Sequence, residues 1–191
     1  MVEPARTQAA SRRDEILSAA IGLFDEGGFH ATGLTDIGKA VGVSGPALYK
    51  YFANKGEILG EAMALVAARL TDGMRDAAEA SPEDGMRLLI RAHVDAAVDD
   101  AAMIKVWLRE ERHLPDREWA RAVQREYLEA WVRALSRLRP SLPYARARTL
   151  VHAAISLIHS AAFYPRTLDP EELRTSLFDL AWAVCTGGFT G

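Results

Sequence analysis

Apolar residues recur along this chain at three- and four-residue intervals, and the two-residue alternation of a half-buried strand is nearly absent. Ile16, Ala20, Leu23 and Phe24 fall at i, i+4, i+7 and i+8, one helical stripe that Gly27-Gly28 closes. The capping-box-like Ser11-Arg12-Arg13-Asp14 predicts its start, and the patternless residues 1–10 are expected to form a flexible tail. A second short helix is expected over Leu34–Val41, with Ile37, Ala40 and Val41 inward and Gly42 as its stop. Ser44 caps a third, and Pro46 is tolerated in its first turn. Asn54-Lys55-Gly56-Glu57 starts a fourth, whose stripe of Ile58, Leu59, Met63, Val66 and Leu70 runs toward Glu79.

Five more helices follow the same logic. Ser81-Pro82-Glu83-Asp84 starts the fifth, to about Ala97, with proline in the first helical position and acids in the first turn. The sixth covers Ala101–Glu111, and Leu114-Pro115-Asp116 punctuates a seventh that runs to about Leu138. The eighth spans Tyr144–Phe163 and ends at Pro165; Asp169-Pro170-Glu171-Glu172 starts the ninth, which stops at Gly187-Gly188. The expected fold is therefore all-α, with nine helices. Short capped helices give way to long ones near residue 55, dividing the chain into a tail (1–10), a three-helix unit (11–55) and a larger helical domain (56–191).

The second and third helices, joined by Gly42-Val43-Ser44, form a helix-turn-helix. On a wheel of the third helix, Leu48 and Phe52 define the inward direction and Pro46 and Lys50 point away, with Ala47 close by. Tyr49 and Tyr51 flank that outward direction by about 100° on either side. In a major groove, such a helix aims Lys50 at base edges and one tyrosine toward each phosphate wall. Lys55 sits in the first turn of the next helix, where a cation is tolerable if an anion binds beside it.

Residues 11–63 resemble the DNA-binding region of the TetR/AcrR family of bacterial transcriptional regulators. The matching positions run through Ile16-Leu17, Leu23-Phe24, Gly28-Phe29, Ala31-Thr32, Asp36-Ile37, Gly42-Val43-Ser44, Leu48-Tyr49, Tyr51-Phe52 and Asn54-Lys55. The resemblance implies a homodimer that binds a pseudo-palindromic double-stranded DNA operator, usually represses, and lets go when a small molecule fills the C-terminal domain. It also implies phosphate contacts from Tyr49, Tyr51 and Lys55, and base-facing positions at Lys50, Ala47 and Gly45. Gly33 stands where the family often has Thr or Ser, leaving Thr32 or Thr35 to supply that hydroxyl. With Ser44 and Pro46, these ten residues are the candidate DNA-binding set.

Composition changes this picture little. Formal net charge is −3, unlike a bulk electrostatic nucleic-acid binder. Residues 1–60 hold six Lys and Arg against seven Asp and Glu, yet no acid lies between Asp36 and Glu57. Positive potential is thus expected only at the docking surface, with a shallow salt dependence. The single cysteine, Cys185, excludes an internal disulfide and a Cys-cluster metal site and fits a reducing cytoplasm. Neither a signal peptide nor an apolar run near the roughly 20 residues of a membrane span is visible, so no membrane partner is expected.

In the larger domain, Met63, Met103, Trp107, Tyr127 and Trp131 are the candidate lining of a pocket for an apolar or amphipathic effector. Residues 105–148 carry eleven Lys and Arg against six Asp and Glu. Most read as a solvated helical face, though an arginine paired with the anionic head of an acyl-type ligand is a sharper reading. The eighth and ninth helices have more apolar surface than one chain can cover, which points to a dimer contact through Leu150, Ala154, Leu157, Ile158, Ala161, Leu177 and Trp182. His152 and His159 share a face but lack a third ligand, so no metal site is expected. No phosphate loop, nucleophile elbow or acid–base constellation marks an enzyme, and no cofactor is expected. A helix-turn-helix that docks a protein instead of DNA is the rival reading.

Overall fold

The computed structural model describes residues 4–164 and 167–187. Among the described residues every regular element is helical: α1 (Pro4–Gly27), α2 (Leu34–Ala40), α3 (Gly45–Leu48), α4 (Lys55–Glu79), α5 (Pro82–Asp99), α6 (Ala101–Glu110), a 3₁₀ turn (Glu111–His113), α7 (Arg117–Leu138), α8 (Tyr144–Phe163) and α9 (Pro170–Thr186). The all-α fold with nine helices is as the periodicity predicts.

The ends of two helices depart from expectation. α1 begins at Pro4, not at Ser11. Proline suits a first helical position, and Ala5, Gln8, Ala9 and Ala10 are favourable helix formers, so the helix extends through the segment expected to be a tail. α3 is a single turn, Gly45–Leu48, where the wheel carried a helix through Phe52. The chain is already committed to the next start: Asn54 Oδ1 accepts the Glu57 amide at 3.0 Å, and the Glu57 carboxylate accepts the Ala53 amide. Residues 49–51 therefore close as a turn, with Tyr51 N donating to Leu48 O at 2.8 Å. Pro165 and Gly188, expected as helix stops, lie outside the described residues.

The chain forms two compact units. One comprises residues up to Val66 together with Lys105–Ala120. Its core contains Ile16, Ala20, Phe24, Ile37, Leu48, Phe52, Ile58 and Met63, all at most 1% exposed. The other comprises Ala67–Ile104 and the chain from Arg121 onward. Its core joins α5, α7, α8 and α9 through Leu89, Ile90, Trp131, Leu135, Val151, Ile158, Ala181 and Cys185. Cys185 is fully buried and burial pushes its thiol up to about 12, so it is a packed side chain and not a reactive one. No helix among the described residues is long and apolar enough to cross a membrane.

Candidate nucleic-acid interface

Two glycines set the helix-turn-helix. Gly42 takes φ +71°, the left-handed conformation that ends α2. Gly38 lets the following turn fold back on α2: Val43 N donates to Gly38 O at 2.8 Å, and a Cβ at 38 would lie 2.7 Å from Val43 O. At the start of α2, Gly33 N donates to the Asp36 carboxylate at 3.0 Å, so an acid caps the helix where a hydroxyl is absent.

The short α3 hides one face and shows the other. Leu48 and Phe52 are buried, while Ser44, Pro46 and Lys50 are exposed, Ala47 and Tyr51 are half-buried, and Tyr49 is 62% exposed. The Ser44 hydroxyl makes no cap hydrogen bond and remains at the surface. This is the division the wheel predicted, but the base-facing place that the family resemblance implies for Gly45 is corrected. Gly45 does not face outward: it is buried against α2, where an added Cβ would lie 3.1 Å from Thr35 Oγ1. It is a packing glycine, required by the close α2–α3 approach.

Three basic side chains, Lys55 of the candidate DNA-binding set and Arg12 and Arg13 of α1, are engaged within the first unit. The Lys55 ammonium donates to the carbonyls of Phe29 (2.6 Å), His30 (3.2 Å) and Thr32 (3.0 Å), and lies 4.5 Å from the centre of the Phe29 ring. It thereby clamps the α1–α2 loop, the role sequence spacing did not reveal. Arg13 forms a forked pair with Glu61, donates to Tyr51 O at 2.6 Å and stacks 4.2 Å over Phe52. It ties α1 and α4 to the turn after α3, and the Glu61 bond favours its charged form. Arg12 bonds Glu15 and the Val41 carbonyl. Thr32 is also engaged: its hydroxyl is buried and donates to Leu23 O or Gly28 O, so of the two candidate hydroxyls only Thr35 is exposed.

A second layer supports this loop from the 105–120 segment. Asp25 pairs with Lys105 and Arg109, and the buried Glu110 accepts the Phe29 amide at 3.4 Å. His113 stacks on Phe29, with ring centres 5.1 Å apart. Burial, followed by the neighbouring His30, holds the His113 imidazole below its ordinary range.

Residues 16–62 match the family described as bacterial regulatory proteins, tetR family. The segment from α1 into the first turns of α4 is thus similar to the tetR family. It is 35% identical over 88 residues to the transcriptional activator FasR of Mycolicibacterium smegmatis, covering 46% of this chain and 39% of FasR. It is 30% identical over 109 residues to the transcriptional repressor KstR2 of Mycobacterium tuberculosis, covering 56% and 54% of the two chains. The chain thus spans about two fifths to a little over half the length of these two relatives. The fold of this chain matches the solved ketosteroid regulator KstR2 with TM-score 0.80 at 22% identity, over 92% of this chain and 94% of that one. It matches Bacillus subtilis FadR, solved with stearoyl-CoA, with TM-score 0.68 at 21% identity, over 91% and 98%.

The candidate effector residues do not form one group. Met63 is core in the first unit, and Trp107 is half-buried in the 105–120 segment of that unit. Met103 is half-buried in the second unit. Tyr127 and Trp131 are buried there beside a histidine that sequence reading passed over. Tyr127 Oη lies 2.9 Å from His93 Nδ1, and His93 Nε2 lies 3.0 Å from His159 Nε2. Burial keeps the Tyr127 hydroxyl protonated, and the three side chains form one hydrogen-bonded row whose direction is set by the His93 tautomer. Burial and the neighbouring His159 push the His93 imidazole down to about 3. His152, on which a shared face with His159 was read, is exposed, and no group of three metal-binding side chains occurs among the described residues.

Four of the expected dimer residues, Leu150, Ala154, Ile158 and Leu177, are already buried in this chain's own core. Leu157, Ala161 and Trp182 are only partly covered, and Phe163 and Leu180 are about half exposed, at 46% and 53%. Inward and outward apolar positions alternate too closely on α8 and α9 for composition to separate them.

Proposed function

We propose that this protein is a DNA-binding transcriptional regulator that represses from a pseudo-palindromic operator and is released by a small apolar or amphipathic effector. The observation that carries the reading is the split face of α3 and the turn after it. Leu48 and Phe52 anchor it inside, and Ser44, Pro46, Tyr49 and Lys50 stand outside on a scaffold held by Arg13 and Lys55. Exposed Thr35 supplies the hydroxyl for a phosphate. Lys50 and Ala47 would meet base edges, with Tyr49 and Tyr51 directed to the backbone.

Two copies would pair through α8 and α9, with Leu157, Ala161 and Trp182 meeting their counterparts and Leu150, Ala154, Ile158 and Leu177 stiffening the contact from within. FasR is named an activator and KstR2 a repressor, so the sign of regulation has its own test, expression from an operator-fused reporter. The effector reading is supported by an open pocket in the second unit, lined by Met74, Leu89 and Ala130 among others, and by the stearoyl-CoA in the FadR structure.

Selection of bound DNA from a random pool tests the reading. Enrichment of a sequence with two inverted half-sites is expected; no enrichment, with a folded protein, favours a protein-docking helix-turn-helix.

A further inference from the structure

Inside the first unit, the 3₁₀ turn Glu111–His113 brings a histidine of the 105–120 segment against the α1–α2 loop. The His113 imidazole stacks on the Phe29 ring, with 5.1 Å between centres and 8° between planes, and the His30 ring meets it edge-on at 4.2 Å. Glu110 lies against the same loop. Its buried carboxylate accepts the Phe29 amide through Oε1 at 3.4 Å, and that oxygen stands 3.8 Å from where a Cβ on Gly28 would be. The other oxygen, Oε2, lies 3.5 Å from His113 Nε2.

That one nitrogen has two neighbours that demand opposite things of it. Arg112 Nε donates to His113 Nε2 at 3.1 Å. A guanidinium has no acceptor, so Nε2 offers its lone pair and the neutral imidazole carries its proton on Nδ1. A second proton goes on Nε2. It ends the Arg112 contact, because two donors then face each other, and turns Nε2–H toward the Glu110 carboxylate. The charged and titratable groups that face the ring are His30 of the loop, Arg112 of its own turn, Lys55 of α4 and Glu110 of α6. Burial, then His30, hold the imidazole below its ordinary range against the pull of Glu110, so the proton arrives only in mildly acidic solution. Glu110 then has two claimants. Its bond to the Phe29 amide is already long, and an imidazolium adds the attraction of a full charge. Phe29 is also where Lys55 holds the loop, through the carbonyl at 2.6 Å.

We propose that His113 is a proton-operated latch on the reading head, the helix-turn-helix with the loop that leads into it: protonated, it draws Glu110 off the Phe29 amide, loosens the α1–α2 loop and weakens operator binding. The proposal rests on the DNA-binding reading given above. In the bland alternative His113 is only a packing ring, and its proton leaves the loop and the operator affinity untouched.

Two measurements on the full chain separate these. Operator affinity is followed by fluorescence anisotropy from pH 7.5 to pH 5.5, on a sequence selected from the random pool, with circular dichroism to establish that the chain is folded at each pH. The parent is expected to lose about fivefold or more over this range, within the limit of about tenfold per pH unit that one proton sets. His113→Gln, neutral at every pH, is expected to hold its own pH 7.5 affinity to within about twofold, since the proton-linked term is gone. Nitrogen-15 spectra of the DNA-free chain read the latch itself, with the His113 signals assigned by their loss in the variant. The Nδ1–H tautomer is expected at pH 7.5, and the Phe29 amide shift is expected to follow the His113 titration. An equal pH dependence in parent and variant, an Nε2–H tautomer at pH 7.5, or a Phe29 amide blind to that titration each overturns the proposal. A folded chain that binds no selected sequence at pH 7.5 refutes the DNA-binding reading, and the spectra then decide the latch by themselves; operator binding that ignores His113 refutes the latch alone.

Discussion

Gly38 lies directly beneath the backbone of Val43: the Val43 amide donates to Gly38 O at 2.8 Å, and Val43 O stands 2.7 Å from where a Cβ on Gly38 would be. That contact, between backbones and so without a flexible atom to yield, fixes the angle at which α3 leaves α2. Gly38→Ala is expected to lower stability by about 1–3 kcal/mol, the usual cost of overpacking, and to weaken operator binding. Urea unfolding and a gel-shift assay check both; an alanine variant as stable as the parent contradicts the role given to this glycine.

Lys55 presents a choice between two roles that one substitution separates. Its three carbonyl partners make it a clamp on the α1–α2 loop. Lys55→Ala is therefore expected to destabilise the DNA-free protein by about 1.5–3 kcal/mol, as for hydrogen bonds to a charged group. A lysine that served only a phosphate would leave stability unchanged and reduce the salt slope by about one.

Most helices were legible because they begin beside a side-chain oxygen or a proline, and α1, α2 and α9 also end at a glycine, signals local to a few residues. The outward set of α3 was legible for the same reason, from Leu48 and Phe52 alone. What escaped depends on partners far along the chain. Arg13 meets Glu61 and Tyr51, Lys55 meets Phe29, and His93 meets Tyr127 and His159; no spacing rule encodes such pairs. Gly45 shows the same limit, since a residue without a side chain gives the wheel nothing to orient. Gly38 did carry a signal: a glycine inside a seven-residue helix, at a cost in propensity, marks a close backbone approach.

His93 makes stability depend on pH. Its imidazole, pushed to about 3 in the folded chain, titrates near 6.5 when unfolded. The unfolded chain therefore takes up a proton that the folded one refuses. Stability is full above about pH 6.5 and is lost as pH falls toward 3, by up to ~1.4 kcal/mol per pH unit from this group. His159, also lowered by burial, acts in the same direction. Urea unfolding at pH 7.5 and pH 5 is expected to show this loss, and His93→Gln to reduce it. An equal loss in parent and variant contradicts the assignment.

Salt dependence follows from which cations are left for DNA. Arg12, Arg13 and Lys55 are bound within the reading head, while Lys39 and Lys50 are exposed. Operator affinity is expected to fall with log salt at a slope for fewer than about ten released counterions per dimer. A steeper slope means that basic groups outside this surface carry the binding.

If the exposed face of α3 and the turn after it reads DNA, the Lys50→Ala and Tyr49→Ala variants lose operator affinity, which a gel-shift titration measures. Both side chains are exposed and outside the core, so neither variant should lose stability. A loss of about tenfold or more in each, or at least 1.4 kcal/mol, is predicted, with Lys50→Ala also relaxing discrimination at one base pair. Unchanged affinity in both folded variants would contradict the account.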